Sequence, residues 1–117
     1  MNVAPHSVPQ DSNTMKTTLP YNRKYVLFAI YEVLDKFGSK YEKTDSSTFL
    51  SEISVYGNKS RFSISVDEQP FGTELTVTML CPCEGLSDSG IQRSVTAVAD
   101  SISQYLENEL EINRLKA

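Results

Sequence analysis

The chain has 117 residues with 15 acidic and 11 basic side chains, for a formal net charge of −4. That length suits one modest core, and the balance lacks the basic stripe of an electrostatic nucleic-acid binder. No run approaches the ~20 consecutive apolar residues of a membrane span. The longest uncharged apolar run, Tyr25 to Tyr31, closes on Glu32 without the cleavage site of a signal peptide. The reading is a cytoplasmic protein with no nucleic-acid and no membrane partner.

In chain order, residues 1–18 carry Pro5, Pro9, Ser7, Ser12, Asn13 and Thr14 with few apolar side chains. Such a segment buries too little to offset its ordering entropy, so the expectation is a disordered N-terminal tail. His6, the single histidine, falls inside it and reads as a solvated tail residue. A single α+β domain is expected over 19–110, followed by a C-terminal tail over 111–117.

The spacing predicts a helix from Pro20 or Tyr21 to Phe37. Leu27, Ile30, Leu34 and Phe37 recur at helical intervals, with Val26 and Val33 widening the stripe. Pro20 suits a first turn, and Gly38 suits the position just past the end. Tyr21, Tyr25 and Tyr31 read as the amphipathic border of that stripe, not as a stacking platform. Ser39 to Asp45 reads as a first strand, with Lys40, Glu42 and Lys43 guarding a sheet edge. A three-residue turn at Ser46-Ser47-Thr48 would pair Tyr41 with Ile53.

The stretch from Phe49 to Cys81 alternates with a period of two in three runs. Phe49, Ile53 and Val55 form one apolar set, Phe62, Ile64 and Val66 a second, and Leu75, Val77, Met79 and Cys81 a third. A turn at Gly57-Asn58 pairs Ile53 with Phe62, whereas one at Asn58-Lys59 pairs Val55 with Phe62. Both keep the apolar residues on one face. Gln69-Pro70-Phe71-Gly72 closes the next hairpin and pairs Val66 with Leu75 and Ile64 with Val77. Beyond Cys81-Pro82-Cys83, a second helix is expected from Ser87–Ser89 to Leu110, with Ser89 and Gln92 forming a capping box. Ile91, Val95, Val98, Ile102 and Tyr105 make its stripe. The expected core is Leu27, Ile30, Leu34, Ile53, Phe62, Ile64, Val77, Val95, Val98 and Ile102.

These elements give an α+β two-layer sandwich, in which a four-stranded antiparallel meander carries two helices on one face, in the order α-β-β-β-β-α. The element order, the Gly38 stop and the Phe71-Gly72-Thr73 turn resemble those of small bacterial α-β4-α domains of unknown function. Such domains are similar in layout to TATA-binding-protein-like or truncated helix-grip sandwiches. The resemblance spans residues 20–110 and implies the layout alone, with no site residue attached.

Chemistry is sparse. Without a histidine in the folded part, Ser-His and Cys-His arrangements are excluded there. Asp67, Glu68 and Glu74 gather near one hairpin end and read as solvated carboxylates. Cys81 and Cys83 are the sharpest local feature, either as a redox pair or as two soft metal ligands. The plainer reading puts Cys81 in the core as a small inward residue and Cys83 in the loop, both reduced. No catalytic, metal or cofactor site is assigned, and no cofactor is expected. The outward hydroxyls of Ser54, Ser63, Ser65, Thr76 and Thr78 read as the wet side of the sheet. The expected function is a non-enzymatic interaction or structural module, with a small apolar or amphipathic ligand between sheet and helices as the alternative. Its last strand, residues 73–81, has one charge and reads as an open edge that pairs with a second copy into a homodimer.

Overall fold

The computed structural model describes residues 13–82 and 84–116, with side chains as far as Glu109. Its elements are β1 (Thr14–Leu19), α1 (Arg23–Lys36), β2 (Tyr41–Asp45), β3 (Thr48–Val55), β4 (Asn58–Gln69), β5 (Gly72–Cys81) and α2 (Asp88–Lys116). The five strands form one antiparallel sheet in the order β1-β5-β4-β3-β2. The expected sheet of four strands therefore gains a fifth, and the class remains α+β. Helix α1 carries the chain from β1 at one edge to β2 at the other. It lies over β4 and β5, while α2 lies over β5 and β1.

The helix ends follow local chemistry. The Asn22 side chain caps α1 by accepting the Tyr25 N–H at 3.2 Å. The first helical residue is thus Arg23, and Pro20 lies before the helix instead of in its first turn. At the other end Gly38 takes φ +68°. Its N–H reaches Asp35 O at 2.9 Å, and the Ser39 N–H reaches Leu34 O at 3.0 Å, the paired bonds of a Schellman ending. Helix α2 is capped by Ser87, whose Oγ accepts the Gly90 N–H at 3.1 Å. The expected Ser89–Gln92 box gives way to this cap two residues earlier, and Ser89 already lies inside the helix. The helix also runs on to Lys116, so residues 111–116 continue it and are not a separate tail.

Alternation decides the faces of every strand. In β3, Phe49, Ser51, Ile53 and Val55 point inward; in β4, Ser60, Phe62, Ile64 and Val66; in β5, Thr73, Leu75, Val77 and Met79. Of the expected core, Ile30, Leu34, Ile53, Phe62, Ile64, Val77, Val95, Val98 and Ile102 are fully buried, and Leu27 is partly so.

Register matches expectation in one hairpin and departs from it in two. The β4–β5 pairing matches expectation, with Val66 opposite Leu75 and Ile64 opposite Val77. In the β3–β4 hairpin, Ser51 faces Phe62 and Ile53 faces Ser60, a slip of two from the nearer expected register. The turn is Tyr56-Gly57, at φ 53° and 79°, the two left-handed residues of a type I′ turn. A slip of two leaves every side chain on its own face, so burial does not oppose it. In the β2–β3 hairpin Tyr41 faces Ser51, not Ile53, and a bulge between Lys43 and Asp45 precedes the two-residue turn Ser46-Ser47.

Three further expectations fail. Residues Thr14 to Thr18, read as tail, belong to β1, which pairs with β5 along its full length. Strand β5 is therefore an interior strand with partners on both sides, and the dimer contact expected through residues 73–81 has no free edge. Cys81 is exposed instead of buried. The β4–β5 register shifts between Arg61 and Phe62, setting Arg61 opposite Cys81 and Phe62 opposite Met79. One extra residue, Leu80, is accommodated there, and the inward alternation of β5 ends at Met79. His6 and Cys83 lie outside the described residues.

Candidate functional site

The residues singled out for chemistry do not converge. Cys81 is free and lies at the exposed end of β5. Asp67 and Glu74 are opposite each other in register, but the Gln69 amide donates to Asp67 Oδ2 at 2.9 Å, which reads as surface solvation of a turn. Among the described residues no group of three or more His, Cys, Asp or Glu side chains is placed to hold a metal ion. No helix among them is long and apolar enough to cross a membrane.

What the fold does bring together lies at the β2 edge. Strand β2 pairs with β3 only as far as Tyr41 opposite Ser51, while β3 continues to Val55. The connection from Phe37 to Lys40 stands beside the remaining edge, tied there by the Ser51 hydroxyl, which donates to Lys40 O at 2.9 Å. Between them is a cleft of about 530 Å³, lined on the β3 side by Leu50, Glu52 and Ser54. Lys40, Glu42, Lys59 and Arg61 also line it, so with Glu52 the cleft holds three cations and two carboxylates. Lys40, Lys59 and Arg61 make no side-chain hydrogen bond or ion pair with another described residue.

On the inward side of the same strand, Phe49 meets Tyr31 and Tyr41 edge to face and the two tyrosines are tilted to each other, with ring centroids 5.1 to 6.0 Å apart. The Lys43 ammonium lies 5.9 Å from the Tyr31 ring and 5.7 Å from the Phe49 ring. These contacts hold β2 against α1 although every β2 residue is exposed. The Arg23 guanidinium adds a tie by donating to Ser46 O and to Ser47 Oγ in the β2–β3 turn.

A second groove, of about 440 Å³, runs between the helices. Val33 and Phe37 supply apolar lining, and Lys36, Ser101, Gln104, Tyr105, Asn108 and Glu109 supply polar groups. The Tyr105 phenol titrates above its ordinary range, because burial disfavours its anion and the Glu109 and Glu32 carboxylates repel it. The Phe28 ring lies 6.3 Å from that of Tyr105. Neither cleft was named from the sequence. The charges at 40, 42, 59 and 61 were visible, but their meeting depends on where β2 stops.

No protein-family model matches this chain, and no curated protein matches it. Among solved structures it is similar to one titled "Crystal structure of Ara h 8.0201", at 10% identity and a TM-score of 0.48. That alignment covers 81% of this chain and 96% of the other.

Proposed function

We propose that this protein is a non-enzymatic interaction module that meets its partner on its surface. One observation carries the reading. The space between sheet and helices is filled by Phe49, Phe62, Ile64, Leu75, Ile30 and Val98, all fully buried, whereas both large clefts open to solvent. An interior ligand of the kind considered from the sequence would have to displace close-packed core side chains. The groove between the helices favours a second reading, an amphipathic ligand laid on Val33 and Phe37 with its polar end at Lys36 and Tyr105.

Native mass spectrometry of the freshly purified chain separates the two. The module reading expects the bare chain mass. A stoichiometric small molecule, retained under native ionisation and lost on denaturation, would replace it with the ligand reading.

A further inference from the structure

We propose that the groove between α1 and α2 is a docking site for a lysine side chain of a protein partner, whose ammonium replaces that of Lys36 over the Tyr105 ring, near the Glu32 and Glu109 carboxylates. This rests on the surface-module reading above and names its site and the chemistry of its partner.

The groove has an apolar floor and an aromatic rim. Val33 and Phe37 of α1 and Ser101 and Tyr105 of α2 line a space of about 440 Å³. The Phe28 ring, 6.3 Å from that of Tyr105, is 54% exposed, and Tyr25 one turn earlier on α1 is 49% exposed. The aromatic surface therefore continues out of the groove along the outer side of α1. Aromatic side chains held partly in the fold and partly in solvent are the common anchors of a protein interface.

Charge selects the partner. One ammonium already occupies the seat, since Lys36 Nζ lies 5.9 Å from the centroid of the Tyr105 ring. Lys36 also follows Glu32 by four residues, the spacing at which carboxylate and ammonium ordinarily meet on a helix. Among the described residues, however, neither Glu32 nor Glu109 forms an ion pair or a side-chain hydrogen bond. Both carboxylates act on Tyr105, whose phenol is raised by burial and then by Glu109 and Glu32. The negative end of the α1 dipole reaches the same place, because Val33 to Lys36 form its last turn and Phe37 its cap. Two carboxylates and a helix C-terminus outweigh one ammonium, so the groove favours a cation and opposes an anion. A lysine offers an alkyl stem to Val33 and Phe37 and an ammonium to the ring and the carboxylates. The residues flanking it in a partner would cover Phe28 and Tyr25, which a lone small amine would leave in water. Lys36, once displaced, is free to turn to Glu32.

The test pans displayed random dodecapeptides against the intact chain and resynthesises those selected. They should carry lysine beside apolar residues and shift the amide resonances of residues 33–37 and 101–109. Replacing that lysine by glutamine should weaken binding about tenfold, the scale of a partly desolvated cation–π contact. Glu109→Gln in the protein should weaken binding, whereas Lys36→Gln, which empties the seat, should strengthen it. Both positions are exposed, so both variants should fold. A merely structural role would not move affinity in opposite directions. Selection of nothing above a blank, equal binding of lysine and glutamine peptides, weaker binding to Lys36→Gln, or shifts confined to the cleft at β2 would each overturn the proposal. So would n-hexylammonium binding the groove as tightly as any selected peptide, which would make the occupant a small amine. A bare native mass with no selected peptide removes this site alone, whereas a retained small molecule removes the module reading beneath it.

Discussion

The two edges of the sheet are built in opposite ways. Strand β1 has an unremarkable sequence, Thr-Met-Lys-Thr-Thr-Leu, yet it is paired over all six residues. Strand β2, Tyr-Glu-Lys-Thr-Asp, carries three charges in five residues and is exposed throughout. The difference lies in what each edge is offered. Beside β1, the Asn13 side chain donates to Met79 O at 3.2 Å, and the Thr73 hydroxyl donates to Tyr21 O at 2.8 Å. Leu19 is buried in the core. Beside β2 there are rings, one lysine and a bulge, with side-chain ties at its two ends, from Arg23 to Ser46 O and from Ser51 to Lys40 O. Strand β1 is thus secured by full-length pairing and a buried end, while β2 stays short and exposed.

The largest effect is expected at Gly72. It adopts φ +153°, and an added Cβ would lie 2.2 Å from the Leu19 carbonyl oxygen. Gly72→Ala should cost about 3 kcal/mol, from backbone strain and overpacking together. Denaturant unfolding would measure the loss. Hydrogen exchange should show it concentrated in β1, with β3 and β4 less affected. Equal loss of protection at the β2 edge would erase the contrast between the two sides.

Next comes Thr73→Val, which keeps the shape and removes the hydroxyl donor to Tyr21 O. Thr73 is fully buried, so the Tyr21 carbonyl loses a partner at a cost of about 1 kcal/mol. A change in unfolding midpoint at constant slope would show it.

Lys43→Ala tests the other edge. It removes the cation over the Tyr31 and Phe49 rings at an exposed position, and its loss should be smaller than that of Thr73→Val. A larger loss would mean that β2 is anchored as firmly as β1.

The smallest effect is a titration. In the folded protein the Tyr105 phenol is raised above its unfolded value, so the unfolded chain ionises first as pH climbs. Its contribution to stability is complete below the unfolded pKa, and it is lost as pH rises through the folded one. Absorbance titration of the phenolate should place Tyr105 late, with Glu109→Gln moving it back more than Glu32→Gln. An unchanged titration in both variants would remove the carboxylates as a cause.

The sequence by itself determined which face each residue of β3 and β4 occupies, and of β5 as far as Met79. It also determined where α1 stops and most of the core. These follow from the two-residue period of a strand, from the helical spacing and from a glycine that tolerates positive φ. It did not determine the β3–β4 register, because a slip of two preserves every face and turn preference alone separates the choices. It did not identify β1, since Thr14 to Leu19 becomes a strand only when β5 stands beside it with unpaired N–H and C=O groups. It pointed Cys81 inward, because a bulge that absorbs Leu80 leaves no mark in local alternation. The cleft beside Glu52 and Ser54 likewise exists only because β2 ends at Tyr41 while β3 continues. Strand pairing is long-range, and the energies that choose its length and register reside in contacts that chain order does not reveal.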